Sequence, residues 1–199
     1  MFKTLQPLIL ASESPRRKRL LESVGVEFEA HPSRINESVR AECPGENPAE
    51  IAQRCACRKA GSVSPLHPSA WVLGADTMVV LDGLIFGKPS IPVEAVQMLD
   101  MLSDKTHEVI TGICLIRPGG NLCRSAAITT LVRFKSISTR EIEAYVKTGE
   151  PMDKAGSYGI QGKGAFLVRS IKGSYTNVVG LPLCETIDWL IDENIIEPA

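Results

Sequence analysis

Residues 7–25, PLILASESPRRKRLLESVG, decide the fold. A short apolar run, PLIL, gives way to small residues and then to Ser14 and Pro15. The run has the composition of a buried strand. Ser14 suits the N-cap of a helix and Pro15 its first position. A strand that feeds straight into a helix opens an α/β unit. The helix is expected to bury Leu20, Leu21 and Val24 and to stop at Gly25. Its first turn carries Arg16, Arg17, Lys18 and Arg19. A helix N-terminus holds about half a positive charge and favours acids there. The four cations are therefore either a solvated basic surface or a seat for a polyanion. A polyanion would meet backbone N–H groups and the Arg16 and Arg17 guanidinium groups together. Lys18 and Arg19 face solvent in both readings.

Strand and helix patterns alternate onward from this unit. EFEAHPS reads as a second strand, and residues 33–47 as a loop. Asn47, Pro48 and Glu50 open a helix over NPAEIAQRCACRKAGSV with a capping-box variant. WVLGAD reads as a third strand, followed by a hairpin in TMVVLDGLIFGKP that turns at Asp82 and Gly83. The helix IPVEAVQMLDMLS puts Ala95, Met98, Leu99 and Leu102 on one face. Two strands then meet at Gly119 and Gly120. STREIEAYVKTGE starts with a capping box from Ser138 to Glu141 and buries Ile142, Tyr145 and Val146. AFLVRSI and YTNVVGL read as strands around Lys172 and Gly173, and a helix over residues 182–191 closes the pattern. The expected class is α/β, with a mixed, curved sheet and flanking helices. With no repeat, linker or low-complexity tract, residues 1–199 read as one domain.

Composition narrows the function classes. The chain has 199 residues, 44% of them apolar, and a formal net charge of -1. That balance argues against a duplex nucleic-acid binder driven by bulk charge. No apolar run reaches the length of a membrane span. MFKTLQPLILAS is too short and too weakly apolar for a signal peptide. Cys43, Cys55, Cys57, Cys114, Cys123 and Cys184 show no paired CxxC spacing and read as reduced thiols of a cytoplasmic protein. His31, His67 and His107 lie far apart and read as structural.

Several side chains carry chemistry in principle. Asp76 in GADT is expected at the carboxyl end of a strand, where α/β proteins place ligands. It could hold Mg²⁺ or Mn²⁺, act as general base on a water, or cap a turn. Lys88 in GKP suits a phosphate, Asp76 or plain solvent. Lys59 lies toward a helix C-terminus, where lysines are common. DKAGSYGIQGKG holds Gly156, Gly159, Gly162 and Gly164, which allow close approach to a ligand. It matches neither the Walker loop nor the dinucleotide fingerprint. Gln161 within it carries one donor and one acceptor side. A uracil or thymine edge offers N3–H beside carbonyl acceptors, so a glutamine pairs with it in both directions. Guanine offers two adjacent donors and favours a carboxylate. Gln161 either reads such an edge or lies in water.

LASESPRRKRLL, RKA, GADTMVVLDG, GKP, MLDMLSDKTHEVITG and YVKTGEPMDKAGSYGIQGKGAFLVRSIKGSYTNVVGLPL together resemble the Maf family of nucleoside triphosphate pyrophosphatases. The resemblance implies a fold akin to the inosine-triphosphate pyrophosphatase group (Maf/Ham1), with two lobes around a central cleft. It implies hydrolysis of a nucleoside triphosphate to the monophosphate and pyrophosphate with a divalent metal, Mg²⁺ or Mn²⁺, and a homodimer. Position by position, Ser12, Arg16, Arg17, Lys59 and Lys88 look like phosphate-site residues, and Asp76 like the catalytic acid-base and a metal ligand. Glu37 in INESV looks like the second metal carboxylate. Arg16, Thr77 and Gln161 look like the specificity positions of the subgroup acting on dTTP and UTP. The sister subgroup acting on 7-methyl-GTP carries a glutamate in place of Gln161. A nucleotide-binding regulator of cell division without catalysis is the reading from another class.

Overall fold

The computed structural model describes residues 1–35, 46–119 and 121–199, apart from the side chains of residues 122 and 123. The chain divides into two compact units. The first comprises Met1–Asp76, Thr111–Ile128 and Gly180–Ala199, and the second Thr77–Ile110 and Thr129–Val179.

In the first unit, β2 (Leu8–Leu10) leads into α1 (Pro15–Ser23), as the opening stretch predicts. Ser14 is the N-cap, and its side chain accepts from the Arg17 N–H. Gly25 takes a φ of 84°, the left-handed stop. Then come β3 (Glu29–Ala30), α2 (Pro48–Val63) and β4 (Trp71–Leu81). Asn47 caps α2 by accepting from the Ala49 N–H. β2 pairs in parallel with β3 on one side and β4 on the other. The chain thus reverses its strand order at β2, the arrangement that opens a ligand crevice at the strands' carboxyl ends. α6 (Leu183–Asp192) packs in this unit, and β1 (Phe2–Thr4) pairs antiparallel with β9 (Ile196–Pro198).

Alternation along the strands sorts two apolar layers. Leu8, Leu10, Leu73, Ile113 and Leu115 pack with Leu21 of α1 and Leu190 of α6. Ile9, Val72, Cys114 and Ile116 pack with Ala56, Ala60 and Val63 of α2. On that second face the sheet carries Gly74 and Gly112 where α2 crosses. A Cβ at Gly74 would lie 2.4 Å from the Ala56 carbonyl oxygen, and one at Gly112 would lie 2.1 Å from that of Ala52. Both separations are far inside van der Waals contact. Helix backbone therefore rests on strand backbone, with Ala52, Ala56 and Ala60 fully buried between them.

The second unit holds β5 (Leu84–Phe86), α3 (Pro92–Leu102), α4 (Thr139–Val146), β8 (Val168–Lys172) and α5 (Tyr175–Val179). The long strands β4, β6 (Thr106–Ile116) and β7 (Leu122–Phe134) contribute residues to both units. Parallel and antiparallel pairings coexist, so the sheet is mixed and helix-flanked, as expected. Asp82 and Gly83, at φ 51° and 80°, turn the β4–β5 hairpin. The capping box of Ser138 and Glu141 is formed, and Ile142, Tyr145 and Val146 are buried. Gly120, and residues 36–45 of the expected loop, lie outside the described residues.

Three expectations are corrected, the first being AFLVRSI, in which Ala165–Leu167 belong to the 3₁₀ helix Gly162–Leu167 and the strand starts only at Val168. WVLGAD and the start of the hairpin form one strand, so β4 does not end at Asp76. YTNVVGL is not a strand: it forms α5. The Ser174 hydroxyl accepts from the Asn177 N–H, and the Asn177 amide donates to the Val109 carbonyl and the Thr130 hydroxyl. That local cap and buried amide outweigh the β-branched composition.

His107 sits in this unit's core, against Phe134 and the Tyr158 ring, 2.8 Å from the Tyr158 hydroxyl. Burial pushes its imidazole down from 6.5 to about 4. The unfolded chain therefore binds the extra proton first as pH falls. The contribution is complete above 6.5 and is lost as pH drops to about 4. At 1.36 kcal/mol per pKa unit it amounts to no more than about 3 kcal/mol. The melting temperature should fall across that interval, with a shallower slope in His107→Phe. An identical slope in the variant would show that another group titrates.

Candidate functional site

The loop after β2 and the start of α1 gather polar groups that are otherwise rare in this core. Ser12 and Arg17 are buried, Arg16 is half-buried and Arg19 exposed. The Ser12 hydroxyl accepts from the Ser14 N–H at 3.2 Å and from Arg17 Nη1 at 3.1 Å. Arg17 Nε donates to the Gly180 carbonyl at 2.6 Å. The guanidinium is thus aimed by two protein acceptors. The first turn of α1 contains no acid.

Asp76 is the sixth residue of β4 and only 1% exposed. The parallel partner β2 ends at Leu10, opposite Leu73. Asp76 therefore lies beyond the end of its neighbour, at the same carboxyl end as Ser12 and α1. It does not stand at the carboxyl end of its own strand, as expected, because β4 runs on to Leu81. Asp76 shares a face with Gly74, the face that α2 covers. The close seating of α2 brings Lys59 there, and its Nζ donates to Asp76 Oδ1 at 2.6 Å. A buried ion pair is weak evidence for stability, because desolvation offsets the attraction. The contact sets an ammonium directly against a buried carboxylate.

Thr77 follows on the opposite face of β4 and is half-buried. Lys88 and Gln161 belong to the second unit and are exposed. The Gly156 N–H donates to the Gly87 carbonyl at 3.0 Å, which ties the Lys88 connection to the glycine-rich segment. Gln161 has an extended backbone just before a 3₁₀ turn, Gly162–Leu167. Glu37 lies outside the described residues.

Among the described residues no group of three His, Cys, Asp or Glu side chains could hold a metal. Mg²⁺ commonly takes one or two carboxylates and fills its remaining positions with water and substrate phosphates. A single buried aspartate fits that pattern and does not fit an all-protein cage.

Sequence reasoning missed three features. His31 and His67, distant in the chain, meet at 2.9 Å between ring nitrogens. The Gly180 carbonyl as an Arg17 acceptor follows no spacing rule. The Glu150 carboxylate, described below, is one acid before a proline and carries no motif of its own. Among the described cysteines Cys55, Cys57, Cys114 and Cys184 are free thiols. A contact with the Cys114 thiol pulls Cys57 down to about 7.

Comparison with known proteins adds the following. The family described as Maf-like protein matches residues 7–193. A protein of Symbiobacterium thermophilum named dTTP/UTP pyrophosphatase is 50% identical over 187 residues, covering 94% of this chain and 93% of its own. One of Desulfotalea psychrophila with the same name is 45% identical over 196 residues, covering 98% and 99%. A solved nucleoside-triphosphatase / dITP/XTP pyrophosphatase from Mycobacterium abscessus is 18% identical with a TM-score of 0.43, over 94% of this chain and 93% of that one. No helix among the described residues is long and apolar enough to cross a membrane.

Proposed function

The chain belongs to the Maf family, and from that premise we propose that it hydrolyses dTTP and UTP to the nucleoside monophosphate and pyrophosphate. The names of relatives 50% identical over most of both chains support the substrates. The buried contact of Lys59 with Asp76 supports the chemistry, together with the cationic start of α1.

In this reading the triphosphate lies against the first turn of α1 and answers its missing negative charge. Arg17, aimed by Ser12 and Gly180, presents its guanidinium to phosphate oxygens together with Arg16. Lys59 and Lys88 add cations. Each charge-assisted hydrogen bond contributes about 1.5–3 kcal/mol, and only the part that strengthens in the transition state speeds the reaction. Asp76 accepts the proton of a water as its oxygen attacks the α-phosphorus. The bond to the bridging oxygen breaks, and pyrophosphate leaves. Asp76, with Glu37, would hold the divalent cation, Mg²⁺ or Mn²⁺. That cation would neutralise phosphate charge and acidify water. Arg16, Thr77 and Gln161 select the base. We read residues 1–199 as one catalytic domain, in a cytoplasmic homodimer.

A panel of triphosphates assayed for pyrophosphate against orthophosphate tests this. With Mg²⁺ or Mn²⁺, dTTP and UTP should be the preferred substrates and pyrophosphate the first product. Orthophosphate as first product, or turnover of 7-methyl-GTP alone, would overturn it. Tight binding of dTTP without turnover in any metal would assign a regulator instead.

A further inference from the structure

We propose that Glu150 is a positioning residue for base selection, its carboxylate fixing the segment 159–164 from which Gln161 projects. The inference rests on the reading that Gln161 meets the pyrimidine. Glu150 begins a 3₁₀ turn, Glu150–Asp153, directly after Gly149, whose φ is 75°. From there its carboxylate reaches the far end of the glycine-rich segment. Oε2 accepts from the Lys163 N–H at 3.0 Å, and Oε1 from the Gly164 N–H at 3.0 Å. Oε1 also accepts from the Tyr145 hydroxyl at 3.0 Å. The near end is held by the same pair, because the Tyr145 hydroxyl accepts from the Gly159 N–H at 3.3 Å. A Cβ at Gly164 would come 2.4 Å from the Tyr145 oxygen, so phenol and loop backbone are pressed together.

Both ends of the segment are thus tied to one carboxylate and one phenol, and Gln161 lies between the ties. Its own amide makes no hydrogen bond to the described residues. The loop's position therefore comes from Glu150 and Tyr145 and not from Gln161. Three donors converge on the two oxygens of Glu150, which an ionised carboxylate accommodates. Burial alone would raise its pKa, but the Lys163 and Gly164 N–H groups, the Tyr145 hydroxyl and the Lys154 charge outweigh this and lower it. A glutamine has the same shape but replaces one acceptor oxygen with an NH₂ group. That group would face a backbone N–H, donor against donor.

The test is a cycle of Glu150→Gln, Gln161→Ala and the double variant, read as kcat and KM for dTTP and dCTP, with melting temperatures. Glu150→Gln should reduce kcat/KM for dTTP by about 10-fold or more, chiefly through KM, which corresponds to one lost charge-assisted bond. The ratio of dTTP to dCTP should fall with it. In the Gln161→Ala background the same change should leave that ratio unmoved, since both act through one contact. Equal losses on both nucleotides, or full additivity in the double variant, would make Glu150 merely structural and overturn the proposal. If Gln161→Ala alone leaves selectivity intact, the parent reading of Gln161 fails and this one with it. If Gln161→Ala abolishes selectivity while Glu150→Gln preserves it, only the positioning role fails. Should Glu150→Gln not fold, Tyr145→Phe removes just the hydroxyl bridge and should shift the ratio in the same direction; an unchanged ratio there overturns the proposal.

Discussion

Asp76→Asn is expected to lower dTTP turnover by about 10²–10⁴-fold, the range for losing a positioned general base. The substitution keeps the shape of the side chain in a site that is 1% exposed, so packing around β4 is preserved. The negative charge and the proton acceptor are lost. Lys59, left opposite a neutral amide, is the competing concern, because breaking a buried ion pair is destabilising. The lysine side chain retains 13% exposure and is less deeply buried than Asp76, which limits that cost. Pyrophosphate release should be followed well below the variant's melting temperature, with circular dichroism confirming the fold. Near-normal rates in a folded variant would remove Asp76 from the base role.

Gln161→Glu should cut kcat/KM for dTTP and UTP by about 10–100-fold, the equivalent of one or two lost hydrogen bonds. A carboxylate accepts from N3–H but cannot donate to the neighbouring carbonyl. The same variant should gain relative activity toward guanine nucleotides, whose N1–H and N2–H face a carboxylate well. Gln161 is exposed and its backbone is extended, so the exchange leaves the fold alone. Selectivity that stays constant across a nucleotide panel would mean that the base is read by other residues.

Legibility in the sequence followed the range of the forces involved. The start of α1 was readable because Ser14 and Pro15 act on their immediate neighbours, and the capping box of α4 was readable for the same reason. Hydrophobic period separated the long strands from the long helices, but it read Ala165–Leu167, which lie in a 3₁₀ turn, as strand. It failed at α5, where Asn177 is held by Val109 and Thr130, residues far away in the chain. Likewise Lys59 looked like an ordinary late-helix lysine, because its contact with Asp76 depends on how α2 seats on β4. The Glu150 network was invisible for a simpler reason. Its acceptor is one carboxylate, and its donors are main-chain N–H groups, which every sequence contains.

The bare seat of α2 on Gly74 and Gly112 has a consequence for the contact of Lys59 with Asp76. Side chains can repack around a lost methyl group, but main chain against main chain has no slack to redistribute. The backbone positions from which Lys59 and Asp76 reach each other are thereby held by main chain against main chain rather than by the fit of interchangeable hydrophobes. Drift among the leucines and valines elsewhere in this unit can change how firmly it holds together without moving those backbone positions.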